Sequence, residues 1–96
     1  MEAVLADVRA RGWAAALGNP RSTEYRALAA VNPRRTYDVA MIAAPVFGPG
    51  SEAIVSLTLL GMEPGLPARQ VVVLGERVRD AGLVATRRSG GRPPAA

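Results

Sequence analysis

A chain of 96 residues, 49% hydrophobic and 21% charged, has room for one globular domain with a modest core. It contains no cysteine and no histidine, which excludes disulfides, thiolate-bound metals, zinc sites and histidine-based catalytic triads. The net charge of +4 rests on arginine without any lysine; apart from Arg34-Arg35 and Arg87-Arg88 with Arg92 the arginines are dispersed, whereas a phosphate-binding surface needs clustered charge, so direct DNA binding is not expected.

In chain order, Val4, Leu5 and Val8 fall on one face between Glu2 and Arg11, with Gly12 as a stop, which predicts a short helix. The charges of this segment leave no apolar core for a leader peptide, and no run reaches the roughly 18 apolar residues of a membrane span, so a cytoplasmic protein is expected. Trp13 to Leu17 is short and apolar and closes at Gly18-Asn19-Pro20, which suits a strand. From Arg21 to Asn32, Tyr25, Leu28, Ala29 and Val31 repeat at helix-like spacing, with Ser22 or Thr23 as cap and Pro33 as the end, predicting a second short helix. Arg34 to Thr36 reads as an exposed connection.

Val39 to Phe47 is apolar, Gly48-Pro49-Gly50-Ser51 breaks it, and Ala53 to Leu60 is apolar again, which predicts a β-hairpin. Its nearly continuous apolar arms suit strands covered on both faces, or one face lined by a pocket. Ser56, Thr58 and Leu60 share a parity, so they should face one side of the sheet, away from the long helix. That helix starts at Pro67, where a missing N–H costs nothing. Val71, Leu74, Val78, Ala81 and Ala85 form its apolar stripe, and Arg69, Gln70, Glu76, Arg77 and Asp80 its wet side. Gly75 and Gly82, seven apart, either allow close approach to a strand or helix, or reflect composition alone. Ser89 to Ala96 has the composition of a disordered tail.

Catalysis needs a nucleophile with a base, a carboxylate pair or a metal cluster. The acidic residues are scattered, and Glu76 with Asp80 sits on the wet side of the long helix, so no enzyme, metal or cofactor is expected. The glycine turn lacks the lysine and following helix of a phosphate loop. A single Gly-Arg-Pro in the tail is weak as a minor-groove hook. What remains is a place where Met41, Thr58 and Leu60 could meet across the hairpin. An apolar surface with one hydroxyl suits a small-molecule pocket; a core methionine beside a threonine bonded to backbone is the other reading.

Met41-Ile42-Ala43-Ala44-Pro45-Val46-Phe47, the turn, and Ala53-Ile54-Val55-Ser56-Leu57-Thr58-Leu59 together resemble the hairpin of the effector-binding domain in the isocitrate lyase regulator (IclR) family of bacterial transcription regulators, which has a GAF-like fold. Arg9-Ala10-Arg11-Gly12-Trp13 is similar to that family's lead-in, and the helix from Pro67 to its closing helix, so the resemblance spans most of residues 1–88. It implies a pocket in which Met41 stands where many members have cysteine, Thr58 where they have a hydroxyl residue, and Leu60 where some carboxylate binders have a second hydroxyl. An effector more apolar than a small oxoacid follows from that resemblance. The connection from Gly18 to Asp38 is longer than the family's.

The expectation is therefore an α/β (α+β) domain over residues 1–88: a GAF-like half-domain in which a small antiparallel sheet, with a central hairpin at 39–60, is covered by a long helix at 67–87 and a short N-terminal helix. Expected function is a ligand-sensing or dimerisation module of an IclR-type regulator, without its DNA-binding domain, taking a small organic effector at Met41, Thr58 and Leu60. The alternative is a stand-alone interaction module without a ligand. A half-domain leaves a strand edge and part of an apolar face uncovered, so a homodimer or higher oligomer is expected.

Overall fold

The computed structural model describes residues 10–18 and 26–94. The helix expected over Glu2–Arg11 lies outside them except for Ala10 and Arg11, which are helical; Gly12 then leaves in the left-handed region, with φ 82°. The elements that follow are β1 (Ala14–Leu17), β2 (Arg26–Ala27), β3 (Thr36–Tyr37), β4 (Val39–Phe47), β5 (Ala53–Leu59), β6 (Leu66–Pro67) and α1 (Ala68–Arg88). All pairings are antiparallel, in a four-stranded sheet of order β2-β1-β4-β5 and a two-stranded sheet of β3 with β6. This is the expected α+β architecture, with the hairpin and long helix at its centre.

Alternation decides which residues meet the helix. Ala15 pairs with Ile42 and Ile42 with Leu59, while Ala44 pairs with Leu57. Partners across strands share a face. Ala15, Ile42 and Ala44 are buried in one cluster with Trp13, Leu28, Val39 and Val71, so this face lies under α1.

Of the helix expected over Arg21–Asn32, residues 26–32 are not helical. Residues 21–25 lie outside the described part, Arg26 and Ala27 pair with Leu17 and Ala16, and the Leu28 N–H donates to the Ala15 carbonyl at 2.9 Å. Twelve residues are marginal for a helix unsupported by packing. Extended pairing instead satisfies the backbone on the outer side of β1 and buries Leu28.

The long helix begins one residue later than read. Pro67 still pairs with Thr36 and serves as N-cap, and the orphan Ala68 N–H donates to the Arg35 carbonyl at 3.2 Å. Its inward stripe also differs: Ala68, Val71, Gly75, Gly82 and Thr86 are buried, whereas Ala81 is exposed. Hydrophobic periodicity gives glycine no weight, yet the side without Cβ atoms sinks closest to the sheet. A Cβ on Gly75 would lie 2.3 Å from the Trp13 ring, and one on Gly82 would lie 2.7 Å from the Pro45 carbonyl oxygen. Close approach to a strand is thus what this glycine pair permits.

At the other end, the stretch read as the start of a tail is drawn into the fold as far as Arg92. The Gly90 N–H donates to the Arg87 carbonyl (3.2 Å) and the Gly91 N–H to the Thr86 carbonyl (2.8 Å), a Schellman closure with Gly90 at φ 81°. The Arg92 N–H then reaches the Gly48 carbonyl at 3.0 Å. The β1 ladder stops at Ala14 opposite Ala43, so among the described residues the end of β4 has no strand on that side. Pro45, which has no N–H to offer there, fits that gap.

In the turn, the Ser51 N–H donates to the Gly48 carbonyl (3.0 Å), the Gly48 N–H to the Glu52 carbonyl (2.8 Å), and Ser51 takes φ 65°. Glycine ordinarily fills this left-handed position. Ser51→Gly should therefore stabilise the chain by about 0.5–1 kcal/mol, a rise of about 3–6 °C in Tm by thermal denaturation. A fall in Tm would mean that the Ser51 Oγ contact to the Pro93 carbonyl, at 3.4 Å, outweighs backbone relief.

Candidate functional site

The face of the sheet turned away from α1 is the first candidate. Ala14 pairs with Ala43 and Ala43 with Thr58; Ala16 pairs with both Met41 and Ala27; Pro45 pairs with Ser56. These residues share the open face. Thr58 and Ser56 are exposed on it, whereas Leu57 and Leu59, one step out of phase, are half-buried on the helix side. Met41 lies one pleat along from Ala43, and Leu60 follows the last residue of β5 with 65% of its surface exposed.

Met41 and Thr58 are therefore brought to one face, on an exposed surface, and Leu60 lies just beyond the end of β5. Among the described residues, nothing ionisable stands on this part of the sheet. Its chemistry is confined to apolar contact and the two hydroxyls, and among the described residues no group of acidic side chains is placed to hold a metal ion.

A second place was not legible in the sequence. A cleft of about 370 Å³ opens beside Trp13, its walls including Ala29, Val31, Glu76 and Arg79. Arg11 lies over the Trp13 ring at 4.2 Å and donates to the carbonyls of Trp13 (2.8 Å), Leu28 (2.8 Å) and Ala29. Its guanidinium ties the segment after β2 to the start of β1. Arg79 pairs with Asp80 at 3.1 Å at the surface, and its stem covers Gly12. Both cations have protein partners, so the cleft reads as a brace around the tryptophan. The only sequence signal is the Arg-Gly-Trp run, because the other wall residues come from two distant segments.

Comparison with protein-family models, curated proteins and solved structures finds no match to this chain. The functional reading therefore stands on geometry. No helix among the described residues is long and apolar enough to cross a membrane.

Proposed function

We propose that this chain is a protein-association module, and that its partner is a second copy of itself. The observation that carries the reading is, among the described residues, a four-stranded antiparallel sheet that keeps an apolar open face and ends on one side in an unpaired, uncharged strand, β5. Antiparallel sheets that face water on one side alternate apolar with polar residues. Among the described residues, those facing outward are Ala14, Ala16, Ala27, Met41, Ala43 and Pro45, joined by the hydroxyl residues Ser56 and Thr58. Ile54, Val55 and Leu60 add exposed apolar surface at the border. Covering such surface is favourable by roughly 25 cal/mol per Å².

Sedimentation equilibrium at micromolar concentration tests the proposal. A dimer or larger species is expected. A monomer of 10.0 kDa that melts cooperatively would overturn it, because the uncovered sheet would then be stable as it stands.

A second reading is supported by the shared face of Met41 and Thr58, with exposed Leu60 next to the end of β5: a small, largely apolar effector bound there, as in a regulator of the IclR kind, which the hairpin sequence resembles. A ligand that prefers the folded chain raises its Tm by mass action. A thermal-shift panel of carboxylates and aromatic acids should then show a rise that Thr58→Val removes. A flat response across the panel would retire the effector and leave association alone.

A further inference from the structure

The two borders of the sheet are chemically unlike. β2 is two residues long and carries Arg26, whereas β5 runs for seven residues with no charge and no proline. Natural edges are kept from pairing by shortness, charge, proline or bulges. In β5 the one irregularity falls beside Ile54, at the turn end, and the register from Val55 to Leu59 is unbroken.

The ladder also tells which backbone groups point outward. Because the Leu28 N–H donates to the Ala15 carbonyl, the groups of Ala15 face β2. Its neighbours Ala14 and Ala16 therefore face β4, opposite Ala43 and Met41. Alternation turns Ile42 and Ala44 toward β5, opposite Leu59 and Leu57. Ser56 and Thr58 are left with their N–H and C=O groups directed away from the sheet.

Resting on the association reading above, we infer that two copies join their β5 edges antiparallel, about a two-fold axis between the two Leu57 residues, to form one eight-stranded sheet with both helices on the same face. In this register Ser56 of each copy exchanges N–H···O bonds with Thr58 of the other. Leu57 faces Leu57, Val55 meets Leu59 of the second copy, and Ile54 approaches its Leu60. Ile54, Val55 and Leu60 are 53%, 58% and 65% exposed in the single chain, half of the large apolar side chains left exposed among the described residues. Centring the pair on Ser56 instead would set Ile54 against Thr58 and Leu60 against the charged Glu52.

Self-pairing fits better than capture of a charged peptide because no charged residue lies between Ala53 and Met62. Along this edge the two-fold therefore sets no charged residue against its own copy, in a chain of net charge +4. An edge about 24 Å long, with side chains on both faces, offers on the order of 1,000 Å² in total, the level of a specific interface.

The chain has no cysteine, so Leu57→Cys supplies a single reporter. Cβ atoms in a directly opposed pair that exchanges no hydrogen bonds lie about 4.5–5.5 Å apart, close to disulfide reach. Mild oxidation should convert Leu57→Cys to a covalent dimer, while Ala43→Cys, on the open face, stays largely uncrosslinked. Thr58→Pro removes an outward N–H and should yield a monomer that still melts cooperatively; Ala43→Arg should remain dimeric. Should Thr58→Pro fail to fold, hydrogen exchange on the unmodified chain decides: the Ser56 and Thr58 amides must gain protection as concentration rises. A dimer that does not crosslink at residue 57, leaves those amides unprotected, or is dissolved by Ala43→Arg would overturn the edge geometry and keep the association reading. A chain monomeric at every concentration would overturn both.

Discussion

Gly75→Ala is expected to destabilise the chain by about 2 kcal/mol, lowering Tm by about 10 °C, although the same change in an exposed helix would stabilise by about 1 kcal/mol. The added Cβ would meet the Trp13 ring at 2.3 Å. The ring has little room to yield: Trp13 is 2% exposed, and Arg11 lies over it at 4.2 Å while binding three carbonyls around it. Either the helix lifts from β4 or the indole leaves its rotamer, and both forfeit packing. A double-mutant cycle separates these effects from propensity. In a Trp13→Leu background, where the ring is gone, Gly75→Ala should become neutral or stabilising. An unchanged penalty in that background would mean that the glycine is required for another reason.

Thr86→Val should cost about 2 kcal/mol and Thr86→Ser about 1 kcal/mol, read from urea midpoints. Thr86 is fully buried; its hydroxyl accepts the Phe47 N–H at 2.9 Å and donates to the Gly82 carbonyl at 2.8 Å. Phe47 lies past the last β1 pairing, where among the described residues β4 has no neighbouring strand on that side, so the threonine stands in for one. Valine keeps the shape and strands a buried N–H. Serine keeps both hydrogen bonds and loses one methyl. The reverse order of costs would show that methyl packing against Gly91 outweighs the hydroxyl.

Much of the site was legible because the side-chain period of a strand is two. Thr58 and Ser56 fall on one side and Leu57 with Leu59 on the other in any register, so the placement of Met41 and Thr58 opposite the helix needed only the hairpin and its turn. Parity could not say what would lie over that face. Nor could it reveal the Trp13 cleft, which joins side chains from residues 11–13, 29–31 and 72–79.

Local chemistry alone accounts for the Gly12 stop, the β4–β5 hairpin and the helix from Ala68 to Arg88, since each depends on periodicity and breakers within one stretch of chain. The choices that differ from local reading are settled between residues far apart. Arg26–Ala27 becomes a strand because β1 has backbone groups to satisfy, and the helix turns Gly75 and Gly82 inward because Trp13 and Pro45 need the space. Ser89 to Arg92 leave the tail because the β1 pairing stops short of the end of β4 and the turn carbonyl at Gly48 accepts the Arg92 N–H. Pattern within a segment specifies its period and length. Which side of it is buried, and which backbone groups need a partner from elsewhere, is a property of the segments packed together.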